Sequence, residues 1–175
     1  MGLWKRFMAI LTSYEGSNDD YENGGSNGGR GQTFKVSSNS TCTGVQIYGS
    51  KGGASSGTTK VSILSGGFNG TELASVTVNT STLSAYGSPA WNTFTFDASC
   101  SLTAGVEYYL KIENPTGHFA DELRWSTDSS SPSYSDGEAY YWNGSSWVTS
   151  GTRDKNFRVE GSVPSSDNSS FFLVM

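Results

Sequence analysis

The chain has 175 residues, a formal net charge of −5 and only 15% charged side chains. That acidic balance argues against a nucleic-acid partner, because phosphate binding needs clustered Lys and Arg. Its 22 glycines and abundant Ser, Thr and Asn favour short strands and tight turns over helices, and no apolar stretch reaches the length of a membrane span.

The N-terminal stretch stands apart. Leu3, Trp4, Phe7, Met8, Ile10 and Leu11 fall at the i, i+3, i+4, i+7 spacing of one helix face, with Lys5, Arg6 and Thr12 opposite. The spacing predicts a short amphipathic helix over 1–15. Such a helix is marginal in water by itself, so its apolar face is expected to anchor the chain to a partner or to sister subunits. The Phe7–Leu11 run is shorter than a secretory h-region, so no leader is expected. Residues 16–31 are rich in Gly, Ser, Asn and Asp and read as a flexible linker.

From Gln32 to Gly161 the pattern is that of strands. Thr33 to Val36 opens it. Thr43–Tyr48 places Val45 and Ile47 on one face, and Lys60–Ser65 does the same with Val61 and Ile63. Gly66 to Gly70 is a turn with an Asn-Gly signal, and a strand carrying Leu73, Val76 and Val78 follows. The stretch Trp91–Ile112 holds two strand patterns, Thr93–Phe96 and Val106–Ile112, joined by a Leu-Thr-Ala-Gly turn in which Gly105 permits positive φ. Phe119–Trp125 is a further strand. Ala139–Val148 reads as a hairpin around Asn143-Gly144, and Asn156–Glu160 closes the region with Phe157 and Val159 inward. About nine or ten short strands with regularly spaced turns specify an all-β, antiparallel β-sandwich, with the jelly roll as the preferred version.

Residues 162–175 form a tail, polar at first and then apolar through Phe171, Phe172, Leu173, Val174 and Met175. Apolar residues at a chain end are expected to add to a sheet edge or fill a groove. Cys42 and Cys100 have no metal-ligand spacing. They sit at equivalent places near strand starts. Neighbouring strands would permit a disulfide worth about 4 kcal/mol by chain entropy. Otherwise they are two buried thiols.

Several phrases line up: GQTFKV, CTGVQIYGS, KVSILSG, WNTFTFDASCSLTAGVEYYLKI, RWSTD, YSDGEAYYWNGSSW and KNFRVEG. Together they resemble a β-sandwich module recurring in bacterial surface proteins and in phage decoration, fibre and minor capsid proteins. The resemblance runs from Gly31 to Gly161. It implies a jelly-roll-like fold and an accessory, lectin-like or decorating role, and it carries over no ligand residue. The paired cysteines and the two terminal arms depart from the usual module.

No catalytic constellation emerges. His118 is the only histidine, and adjacent Asp121 and Glu122 would point to opposite strand faces. No enzymatic activity and no cofactor are expected. Asp121, Asp128 and Asp136 are weak calcium candidates around one loop, without EF-hand spacing. Trp125, Tyr134, Tyr140, Trp142 and Trp147 are candidates for stacking on a sugar, although strand alternation sends about half of such aromatics inward. The first expectation is a virion structural protein, a homo-oligomer held to capsid or other virion proteins by both arms. The anchors would be Leu3, Trp4, Phe7, Met8, Ile10, Leu11 and Phe171–Val174. The alternative is a carbohydrate-binding or adhesion module at an extracellular surface, with a host glycan as its partner.

Overall fold

A computed structural model of the chain describes residues 9–23, 29–53, 57–114 and 123–164. Among them are thirteen strands: β1 (Ala9–Tyr14), β2 (Asp20–Asn23), β3 (Arg30–Phe34), β4 (Ser40–Lys51), β5 (Thr58–Ser65), β6 (Thr71–Asn79), β7 (Ala90–Leu102), β8 (Tyr108–Glu113), β9 (Leu123–Asp128), β10 (Ala139–Trp142), β11 (Trp147–Thr149), β12 (Asp154–Lys155) and β13 (Phe157–Ser162). A 3-10 turn at Thr80–Thr82 is the one helical element described.

Two antiparallel sheets pack face to face. The first holds β1, β13, β4, β9 and β12, with β7 on the other edge of β4 and β2 beside β9. The second runs β11-β10-β3-β8-β5-β6. Period-2 alternation decides what enters the space between them. Val45 and Ile47 of β4, Phe94 and Phe96 of β7, and Phe157 and Val159 of β13 meet Phe34, Val61, Ile63, Leu110 and Ile112 of the second sheet. Phe34 and Phe157 touch across the gap, with ring centroids 6.0 Å apart. Each such buried side chain contributes about 1.5–3 kcal/mol relative to exposure.

The all-β sandwich expected from the strand patterns is therefore present, but with thirteen strands among the described residues, and the described part of the expected N-terminal helix, Ala9–Tyr14, is a strand. Residues 1–8 lie outside the described residues, and Ala9–Tyr14 is a strand paired with β13. The reason is the edge of β13. Its N–H and C=O groups need partners, and an extended segment supplies them, whereas a short isolated helix satisfies only itself. The register shift between Ile10 and Thr12 also separates residues that helical spacing would have put together. Leu11 packs on the core, while Ile10 is 48% exposed. The expected linker over 16–31 carries β2 and the start of β3.

A second difference concerns Trp91–Ile112. The two strand patterns do not pair with each other. β7 lies in the first sheet and β8 in the second, so the intervening turn crosses the sandwich, with Gly105 at φ +73. Val106 is left exposed in that turn.

The first sheet forks at Tyr48. β4 pairs with β13 along Thr41–Ile47 and then with β9 along Gly49–Lys51. Asn156 sits between β12 and β13 and fills the fork. Its carbonyl accepts from Tyr48 N–H at 3.2 Å and from Trp125 Nε1 at 2.9 Å, and its N–H donates to the Ser126 carbonyl. Its side-chain oxygen accepts from Gly16 N–H at 2.7 Å. Its amide nitrogen donates to the Ser17 carbonyl and to Asn18 Oδ1. The segment joining β1 to β2 is thus tied to the fork by one buried amide.

β2 is also fixed by charge. Lys155 is wholly buried and pairs with Glu22, which also meets Arg30 at 3.0 Å and Arg153 at 2.8 Å. Burial lowers the Lys155 ammonium to about 8, against the pull of Glu22. Burial alone would raise the Glu22 carboxyl, but Lys155, Arg153 and Arg30 outweigh it and hold the group below its ordinary value.

Two outcomes are expected. Asn156→Ala leaves buried donors and acceptors unpaired and lowers unfolding free energy in urea by about 2 kcal/mol or more, with amide exchange rising first over residues 9–23. Glu22→Gln strands the Lys155 charge and costs about 3–5 kcal/mol at neutral pH. A depressed carboxylate contributes stability that is full above its unfolded value, 4.5 for Glu22, and is lost as pH falls through its folded value. The wild-type advantage over Glu22→Gln is therefore full from about pH 4.5 to neutral pH, where Lys155 is charged, and shrinks below pH 4.5, as urea titrations across pH 2–7 will show.

Candidate functional site

Alternation along the second sheet turns a set of aromatic side chains outward. In β8, Tyr108, Leu110 and Ile112 point to the core and Tyr109 points away. In β10, buried Ala139 leaves Tyr140 and Trp142 on the outer face. The hairpin expected around Asn143-Gly144 places Trp147 of β11 directly opposite Trp142, with ring centroids 5.9 Å apart and edge to face. Asn143 Oδ1 accepts from Ser145 and Ser146 N–H and sets that turn.

Phe68 completes the group. It comes from the β5–β6 turn, where Gly66 and Gly67 take φ +75 and +117, and it folds back over the outer face. Its ring stacks on Trp147 at 4.3 Å and meets Tyr109 at 5.0 Å and Tyr140 at 5.1 Å. The absence of a side chain at Gly31 makes room, since a Cβ there would enter the Phe68 ring. Phe68 is only 4% exposed, whereas Tyr109, Tyr140, Trp142 and Trp147 keep part of their surface in water. The result is a semi-exposed aromatic platform on a rigid sheet.

A polar cleft of about 490 Å³ adjoins the platform and shares Tyr140 with it. Glu107, Asp136, Glu138 and Asp154 line it, with Lys35, Arg153 and Tyr134. Tyr109 links the two features by donating to Glu107 at 2.7 Å. That hydrogen bond, with burial, pushes the Tyr109 phenol up to about 12. Burial does the same to Tyr134, and burial with the Glu138 and Glu107 charges raises Tyr140. All three phenols are therefore protonated donors at neutral pH. Asp154 is buried and accepts from Tyr134 N–H at 2.9 Å, and loss of hydration raises its carboxyl above the usual range.

The sugar-stacking candidates divide. Tyr140, Trp142 and Trp147 come together on the platform. Trp125 does not join them: it is fully buried in the core, with its indole N–H on the Asn156 carbonyl. Tyr134 is half-buried beside the cleft, packed on Tyr14 and edge-on to Phe157. Phe68 and Tyr109 were not anticipated. An aromatic flanked by glycines in a turn was the available signal for Phe68. Tyr109 follows from parity once Tyr108 is known to face inward.

Among the calcium candidates, Asp121 lies outside the described residues. The Asp128 carboxylate is occupied by protein donors: Tyr14 Oη at 2.8 Å and the N–H groups of Ser17, Ser130 and Ser131. Asp136 is on the cleft wall. Among the described residues no group of three or more His, Cys, Asp or Glu could hold a metal ion. Of the anchoring candidates, Leu3, Trp4, Phe7, Met8, Phe171, Phe172, Leu173 and Val174 lie outside the described residues. Ile10 and Leu11 belong to β1. No described helix is long and apolar enough to cross a membrane.

A family model described as Domain of unknown function (DUF4082) matches residues 18–159, which include β2, the platform and the cleft. No curated protein matches the chain.

The packing of Phe68 on Gly31 is open to a direct check. Gly31→Val forces a side chain into the ring and is expected to cost about 1–3 kcal/mol. In a Phe68→Ala background the same change costs less, because the collision is gone. Urea unfolding of the two single variants and the double variant measures that coupling.

Proposed function

The chain belongs to the DUF4082 family, and because that description assigns no activity, we propose from the site that it is a non-catalytic carbohydrate-binding or adhesion module. The observation that carries this is the platform of Tyr140, Trp142 and Trp147 opening onto a polar cleft. Aromatic faces take the C–H side of a sugar ring, and protonated phenols with carboxylates hydrogen-bond its hydroxyls. Four cleft carboxylates against Lys35 and Arg153, the latter already paired with Asp20 and Glu22, disfavour an acidic sugar. Neutral and amino sugars suit that balance. The platform's position on strands rather than loops keeps it preorganised. An extracellular or particle surface is the setting in which such a module acts. The jelly-roll-like class belongs to the same proposal, supported by the way successive strands change sheet from β3 to β4 to β5 and from β7 through β10.

A virion structural role is the second reading, as a capsid decoration, head fibre or minor capsid component. The Ala9–Tyr14 part of its expected anchoring helix is instead a strand of its own domain. One observation still favours it. Ala9 lies directly opposite Gly161, so the start of β1 and the end of β13 share one corner of the sandwich. A shared corner suits attachment of the two arms to one capsid protein or to sister subunits, with the platform turned outward.

Glycan-array binding followed by calorimetric titration tests the first reading. Trp142→Ala is expected to weaken binding about tenfold or more, with an unchanged far-ultraviolet dichroism spectrum. An array on which the folded wild type retains nothing, or binding indifferent to Trp142, rejects it. Removal of residues 1–8 and 165–175 is expected to leave glycan binding intact and to abolish incorporation into particles if the second reading holds.

A further inference from the structure

Cys42 and Cys100 are directly opposite residues on antiparallel β4 and β7. Both are buried, at 0% and 8% exposure, and both are free thiols. Opposed residues in an antiparallel pair have Cα atoms about 4.5–5.5 Å apart, inside the range of roughly 4.4–6.8 Å that a disulfide needs. The neighbouring Cys100 thiol and burial push the Cys42 thiol up. The Cys42 thiol also donates to the Gly44 carbonyl at 3.5 Å, across the register shift in β4.

The pair has a particular place in the sheet. Cys42 is opposite Gly161 on its other side, and Gly161 is opposite Ala9. Ala9, Gly161, Cys42 and Cys100 therefore form one row across four strands, at the N-terminal end of β1 and near the C-terminal end of β13.

We propose that Cys42 and Cys100 are an oxidation site, closing to a cross-strand disulfide that staples β4 to β7 in the first sheet. The oxidant is a small disulfide such as glutathione disulfide. Cys100, the more exposed of the two residues, loses its proton and attacks one sulfur of the oxidant, whose other half leaves as a thiolate and takes up that proton. Cys42 then loses its proton and displaces the second half from Cys100 in the same way. One S–S bond is broken and one formed, the protein is oxidised by two electrons, and two small thiols are released. This site is independent of glycan binding.

The test uses the full chain in a series of glutathione to glutathione disulfide ratios, both as the folded protein and refolded from denaturant. Intact mass and alkylation of each cysteine are read at each ratio. The expected result is simultaneous loss of both alkylation sites, an intact mass lower by two hydrogens, and a Tm raised by roughly 5–10 °C. Cys42→Ser and Cys100→Ser remove the mass change and the Tm rise. The proposal is overturned if both thiols stay alkylatable at the most oxidising ratio even after refolding. It is equally overturned if glutathione remains attached to one cysteine without ring closure. Should either serine variant fail to fold, the wild-type series decides alone.

Discussion

The structure depends on how one sheet changes partners along a single strand. β4 has twelve residues, and on the edge away from β7 it is served by two six-residue neighbours, β13 at one end and β9 at the other. Every such change leaves backbone groups that must still be paired away from water. Asn156 supplies those partners from both its backbone and its side chain. A buried amide is suited to this because it donates and accepts on opposite sides, which no apolar residue of similar size can do. The same residue also holds the Glu15–Asp19 connection, and so β1 and β2 are parts of the domain rather than an appendage.

Charge and burial are divided between the two ends of this arrangement. At β2, Lys155 and Glu22 are taken out of water together, with Arg30 and Arg153 spreading the compensation. A buried network of this kind adds little net stability over an apolar filling, but it penalises any register in which Glu22 is displaced. Further along the same sheet, Arg158 lies 3.9 Å over the Trp91 ring and is held by both oxygens of Glu15. Both contacts fasten the N-terminal strands to residues contributed more than a hundred positions later, which is why local sequence gives no sign of them.

The outer face of the second sheet is unusual for the opposite reason. Its aromatics are not consumed by the core. Phe68 covers part of Trp147, Tyr109 and Tyr140 and fixes their rings. The platform is thereby held rigid while its rim stays in water. The acidic cleft beside it is continuous with it through Tyr140 and the Tyr109–Glu107 hydrogen bond. Tyr140, Trp142 and Trp147 were legible as a group because a short hairpin keeps them close in the chain. Trp125 looked the same in sequence and is core, since nothing local says which face of β9 the second sheet covers.

The sequence by itself determined the all-β class, the turns at Gly105 and Asn143-Gly144, and the inward parity of Val45, Ile47, Val61, Ile63, Phe157 and Val159. These follow from backbone φ and from a two-residue period, both local properties. Tertiary structure alone decided that Ala9–Tyr14 is a strand, that β7 and β8 face each other across the core instead of pairing, and that Cys42 meets Cys100. Periodicity divides a strand into two faces, but it names neither the face that is covered nor the strand that lies alongside. A six-residue stretch with apolar positions compatible with helix takes the conformation whose hydrogen-bond partners are on offer, and for Ala9–Tyr14 those partners are on β13.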